Sequence, residues 1–268
     1  MIEQGARAAV VGSGVAAATA RAVYAGLRRR RRPAWERVNH AGRPVDLYAG
    51  PAVAAGTVLG ALCAGPPRQR GAAVLAVLAG AACGAYDDLR GDHRRGFLAH
   101  LGALRRGEVT SGAVKLLGIG AAGLAAGALL KERPVDRLLA AVVVAGAAHT
   151  VNLVDVRPGR AGLAVQVLGA PGLARGVPVA AAPMGAAAVV LGDDLAERTM
   201  LGDTGAHALG AALGVAVAAG NGRLGTALHA AAFVAAAVAG ERGAGEHGLG
   251  CAGARVSGRA ASCAHPCG

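Results

Sequence analysis

Apolar stretches, most of them about 17–20 residues long, recur along this chain, and a helix that crosses roughly 30 Å of hydrocarbon needs a run of that length. They fall at about 5–27, 47–65, 71–86, 112–130, 135–151, 161–174, 176–192, 204–220 and 223–240. The pattern predicts an all-α fold, a polytopic transmembrane helical bundle of about nine spans. The sixth stretch is short and carries Gly169, Pro171 and Gly172, so a broken or re-entrant segment is expected there. The first residues, Met1-Ile2-Glu3-Gln4, lack the basic start of a secretory signal, and the first stretch is expected to stay as a span.

Composition removes the competing classes. Apolar residues make up 54% of the 268, charged residues 16%, and mean hydropathy is +0.44. A disordered chain is poor in apolar residues, and a soluble globule carries roughly a quarter of its residues charged. The 28 Lys and Arg exceed the 16 Asp and Glu, for a net charge of +12. In a membrane protein that excess marks cytoplasmic loops and contact with anionic lipid head groups, so membrane lipids are expected partners and nucleic acid is not. The bundle is built from small residues, 44 of them glycine, which let helix backbones approach closely. Cys63, Cys83, Cys251, Cys263 and Cys267 show no CxxC spacing and predict neither a disulfide framework nor a zinc site.

Orientation follows from the basic loops. Arg28 to Arg32 directly follow the first span, and alternation from there assigns 28–46, 87–111, 152–160 and 193–203 to one side. That side receives the larger share of Lys and Arg, which predicts it to be cytoplasmic and the N-terminus to be outside. Tyr24, Trp35, Tyr48 and Tyr86 fall at or near cytoplasmic span ends.

The acids share that side. Asp87 and Asp88 close the third span, Asn152 and Asp155 close the fifth, and Asp203 opens the eighth in Met200-Leu-Gly-Asp203-Thr-Gly205. Each alone has a bland explanation, an interfacial acid or a helix cap. Together, ionisable groups at span ends facing a bundle interior are costly and become functional candidates. Carboxylates without partnering Cys or His are hard oxygen ligands, suited to Mg²⁺ or Mn²⁺. The neighbouring basic residues Arg90, Arg94, Arg95, Arg105, Arg106 and Lys115 suit phosphate. Metal plus basic groups at a membrane surface points to phosphoryl transfer on a lipid phosphate or a nucleotide.

Four segments, in this order, carry a resemblance. Asn39-His40-Ala-Gly-Arg43-Pro44, Asp87-Asp88, Asn152-Leu-Val-Asp155 and Met200-Leu-Gly-Asp203-Thr-Gly205 resemble motifs of the polyprenyl-phosphate N-acetylhexosamine-1-phosphate transferases. That family includes phospho-N-acetylmuramoyl-pentapeptide transferase and the WecA-like enzymes, and the likeness covers roughly residues 35–220. It implies a multi-pass enzyme of the plasma membrane with a cytoplasmic active face, acting in cell-wall or related envelope glycan synthesis. Such an enzyme moves a sugar-1-phosphate from a UDP-sugar to polyprenyl phosphate, releasing UMP, with Mg²⁺. Carried over by motif, Asp203 and Asp87 would be metal ligands and Asp87 and Asp88 catalytic. Asn152, Asp155, His40 and Arg43 would bind substrate, and Lys115 is added to them from its place among the basic residues that suit phosphate. Polyprenyl phosphate and a nucleotide-sugar are the implied partners, and a homodimer is compatible with them.

The chain also departs from the family. Asn152-Leu-Val-Asp155 continues Val156-Arg157-Pro158-Gly159-Arg160 where the family usually has Gly-Leu-Asp-Gly, and the late His-rich loop has no counterpart. These departures keep a second reading open, a non-catalytic relative that binds polyprenyl phosphate or an envelope-synthesis partner. A transporter with midplane charges is a third class, disfavoured because the acids lie at span ends. Residues 1–240 are expected to form the transferase-like domain. The Gly-, Cys- and Arg-rich residues 241–268 are expected to be a disordered or aberrant tail.

Overall fold

The computed structural model describes residues 2–91, 100, 102, 103 and 105–256. Arg94, Arg95 and residues 257–268 of the expected tail lie outside the described residues. Nine α-helices are formed among the described residues: α1 (Ile2–Arg28), α2 (Ala49–Cys63), α3 (Pro67–Arg90), α4 (Ser111–Leu130), α5 (Pro134–Val154), α6 (Arg160–Ala174), α7 (Ala181–Leu195), α8 (Gly202–Gly220) and α9 (Arg223–Val256). Local sequence sets several starts. Pro67 and Pro134 sit in the first turns of α3 and α5, where no amide hydrogen is needed. Thr110 caps α4, its Oγ1 accepting from the Ala113 amide at 3.2 Å.

Among the described residues, six segments are long and apolar enough to cross a membrane: Glu3–Arg28, Pro67–Arg90, Ser111–Leu130, Pro134–Val154, Pro178–Leu195 and Arg223–Gly240. They fit a multi-pass membrane protein. Helix α6 differs from the expected broken segment: it is one helix of 15 residues with Pro171 in its last turn. At 1.5 Å per residue it is about 22 Å long, short of the hydrocarbon thickness. Helix α9 continues past Gly240 to Val256.

One departure from an all-helical chain lies between α1 and α2. There Glu36–Val38 (β1) and Pro44–Asp46 (β2) pair antiparallel. The intervening Asn39-His-Ala-Gly42 forms the turn: Asn39 Oδ1 accepts from the Ala41 and Arg43 amides, both at 2.9 Å. A polar side chain that closes its own backbone turn is a hairpin signal that composition alone conceals.

Helix α8 is the centre of the bundle. It packs against α3 and α5 along its length, and more lightly against α2. Small residues make this possible. A Cβ placed on Gly210 would meet the Ala147 carbonyl oxygen at 2.5 Å, and one on Gly214 the Val144 Cα at 2.5 Å, both on α5. Such contacts remove the side-chain layer between backbones, the packing that lipid surroundings favour. Helix α4 lies against α3 and α5, α9 against α5, and α1 against α2 and α7. The antiparallel crossing brings the C-termini of α3 and α5 to the N-terminus of α8.

Candidate functional site

Four helix ends supply the polar cluster: the C-termini of α3 and α5 and the N-termini of α4 and α8. At the C-terminal turn of α3, Asp87 and Asp88 point to different partners. Asp88 turns to the first turn of α8. Its Oδ1 accepts from the Asp203 amide at 3.0 Å, and its Oδ2 accepts from the Thr204 amide at 2.9 Å and Thr204 Oγ1 at 2.6 Å. A carboxylate at a helix N-terminus satisfies orphan amides and complements the helix dipole, so Asp88 caps α8 from another helix. Gly202, at φ +61°, supplies the left-handed bend that begins α8 there. A side chain at that position would crowd the Asp88 carboxylate, which lies 3.0 Å from where its Cβ would be.

Asp87 faces the other way, to α4. Lys115 Nζ donates to Asp87 Oδ2 at 2.9 Å and to Asp203 Oδ2 at 2.5 Å. All three side chains are largely buried, 21% exposed for Lys115 and 23% for each aspartate. Ser111, one helical turn before Lys115 and on the same face of α4, also hydrogen-bonds the Asp87 carboxyl. The lysine therefore occupies the point on which two carboxylates from α3 and α8 converge.

Asp155 follows the last residue of α5 and accepts from the Gly202 amide. Burial, and then the carboxylates of Asp194, Asp203 and Asp88, push its pKa well above the usual carboxylate range. This places the three acidic motifs around the N-terminus of α8. Asn152 lies one turn earlier on α5, partly buried, its carbonyl accepting the Asp155 amide at 3.2 Å.

The hairpin sits at the edge of this cluster, where an Arg37 guanidinium nitrogen donates to the main-chain carbonyl of Asp88. His40 and Arg43 occupy its exposed turn. Arg43 Nη1 pairs with Glu197 Oε1 at 3.3 Å, and Asn39 Nδ2 donates to Glu197 Oε2 at 2.7 Å. The structure thus unites Asp87, Asp203 and Lys115, with Asp88 and Asp155 on the backbone beside them, and commits Arg43 to a different acid.

Three contributors escape a reading by motif. Ser111 and Arg37 touch the two aspartates of α3, and His207 lies beneath Asp203. His207 is buried, and its Nδ1 lies 2.8 Å from the Asp203 carbonyl oxygen. A carbonyl only accepts, so Nδ1 carries a proton and donates it. Four-residue spacing, Ser111 to Lys115 and Asp203 to His207, was the available signal for two of them.

The donor set suits a hard divalent cation. It consists of oxygens, its carboxylates outnumber the one ammonium among them, and Lys115 already marks where positive charge is required. Among the described residues no group of three or more His, Cys, Asp or Glu is assembled as a metal ligand set. Two carboxylates with the remaining positions left to substrate phosphate and water match the way Mg²⁺ is commonly held. The fold and cluster define a helical protein with, among the described residues, six membrane-capable helices and an acidic site at the meeting of four helix ends. Comparison of the sequence with protein-family models and with curated proteins finds no match.

Proposed function

We propose that the protein is a Mg²⁺-dependent sugar-1-phosphate transferase that acts on a polyprenyl phosphate. In this reading it spans the plasma membrane about nine times, with the N-terminus outside and the acidic cluster at the cytoplasmic face, and contributes to envelope glycan synthesis. The observation that carries the reading is the convergence of Asp87 and Asp203 on one cation, Lys115, at the meeting of three apolar helices. The motif resemblance over residues 35–220 and the Arg28–Arg32 run add to it.

Asp203 and Asp87 would hold the ion, Mg²⁺ or Mn²⁺, which would neutralise pyrophosphate charge. The lipid phosphate oxygen forms a bond to the β-phosphorus of the UDP-sugar. The bond from that phosphorus to the bridging oxygen breaks, and UMP leaves with its electron pair. Asp88, with both oxygens committed to the first turn of α8, fixes the position of Asp203 rather than touching substrate. Lys115, released from one aspartate, supplies positive charge to a phosphate oxygen. Asp155 and Asn152 border the cluster on the α5 side and would orient the nucleotide.

The test is direct. Purified protein is given a UDP-sugar, polyprenyl phosphate and Mg²⁺, and UMP is measured alongside Asp87→Asn and Asp203→Asn variants. Metal-dependent UMP release that both substitutions abolish is expected. Pro158, where the family usually has an acid, favours a second reading, a non-catalytic relative. Binding of polyprenyl phosphate with no UMP from any of several UDP-sugars would establish that one instead.

A further inference from the structure

The last two turns of α1 and the residues just after it carry a basic cleft that the acidic cluster does not use. It has a volume of about 340 Å³ and is lined by Arg21, Tyr24, Ala25, Arg28, Arg29 and Arg31. Spacings of three, four and seven residues put Arg21, Tyr24, Ala25 and Arg28 on one side of the helix. Arg28 is already engaged: its guanidinium lies 3.3 Å from Asp46 and 3.8 Å from Asp193, and 5.4 Å from the centre of the Tyr24 ring. Arg21, Arg29 and Arg31 are exposed and have no acidic partner among the described residues. The net positive charge of the cleft comes from these three.

Arg21 is the informative one. It lies within the segment Glu3–Arg28, which is apolar enough to cross a membrane. Seven residues before Arg28, it sits about 10 Å deeper along the helix axis. A guanidinium at that depth is costly unless it reaches the interface or meets an anion. Guanidinium groups bind phosphate oxygens in pairs, and several around one cleft favour that ligand over a zwitterion. The buried Tyr24 ring forms the floor and holds Arg28.

We infer that this cleft binds the phosphate of an anionic membrane phospholipid, anchoring α1 through Arg21, Arg29 and Arg31. The inference rests on the membrane placement of α1 and is independent of the transferase chemistry.

The experiment uses full-length protein in nanodiscs of phosphatidylcholine containing a minority of phosphatidylglycerol, with retained lipids quantified by mass spectrometry after brief delipidation. The native protein should retain phosphatidylglycerol in excess of its share of the bilayer. Arg21→Gln, Arg29→Gln and Arg31→Gln should each weaken retention by about fivefold. As the control, Arg68→Gln, Arg133→Gln and Arg157→Gln each remove the same single charge elsewhere and should leave retention unchanged. Equal loss in that control would overturn the site in favour of diffuse attraction. Unchanged retention in the Arg21, Arg29 and Arg31 variants would overturn it outright. Displacement of the lipid by millimolar inorganic phosphate would assign the cleft to a soluble anion and overturn the lipid assignment. Carbonate extraction of the membranes tests the placement separately: a chain released by carbonate refutes the membrane reading itself.

Discussion

Replacing Lys115 by methionine isolates the electrostatics of the cluster. Methionine keeps an unbranched chain of similar length, so packing on α4 changes little while the ammonium is lost. The native Nζ sits 2.9 Å from Asp87 and 2.5 Å from Asp203, with all three side chains under a quarter exposed. At that burial, loss of one partner leaves uncompensated carboxylates, a cost of about 3–5 kcal/mol. For a chain of this size the thermal midpoint should fall by roughly 6–12 °C. The mechanism makes a sharper demand on the double variant. Asp203→Asn added to Lys115→Met removes one of the two stranded charges and should recover about 2–3 kcal/mol relative to additivity. The assay is thermal unfolding of detergent-solubilised protein, metal-free, for the native chain, both single variants and the double. A Lys115→Met protein that melts within about 1–2 °C of native, or a double variant whose losses simply add, would refute the argument.

Three other outcomes follow from the same geometry. Gly210→Ala should cost about 1–3 kcal/mol because its Cβ would press on the Ala147 carbonyl, whereas Gly120→Ala, with nothing within 4 Å, should be neutral or stabilising. Equal thermal midpoints for the two variants would show that α8 is not held by close backbone contact. Burial raises the Asp155 pKa, so the folded state holds that proton more tightly than the unfolded chain. Its contribution to stability is full below the unfolded pKa of about 3.9 and is lost as pH rises through the folded value. Asp155→Asn should therefore flatten the decline in thermal midpoint as pH rises above about 4, and an unchanged slope would contradict the assignment. Finally, Mg²⁺ at 100 times its dissociation constant should stabilise the native chain by about 2.7 kcal/mol. EDTA should reverse the shift and Asp87→Asn should abolish it; a shift that persists in Asp87→Asn would place the ion elsewhere.

Much of the scaffold was legible because helix length and apolar runs are local properties. The stretches near 5–27, 71–86, 112–130 and 135–151 fall within α1, α3, α4 and α5. The hairpin at Glu36–Asp46 was missed because two strands of three residues leave no periodic pattern, and its stability comes from Asn39 and the Arg37 contact with α3. The continuous helix through Pro171 was missed because a proline that removes a backbone hydrogen bond and crowds the carbonyl four residues before it reads as a break.

Within the cluster, sequence alone determined which carboxylates stand at helix ends, since that needs only span boundaries and residue identity. It could not distribute their roles. Asp87 and Asp88 are adjacent and chemically identical, but a helix turns about 100° between them. One therefore meets Lys115 across α4, and the other meets the amides of Asp203 and Thr204. That division, and the meeting of Lys115 with Asp203, 88 positions away, depends on α8 lying between α3 and α5. Only tertiary packing decided it, because glycines on both sides let those backbones touch.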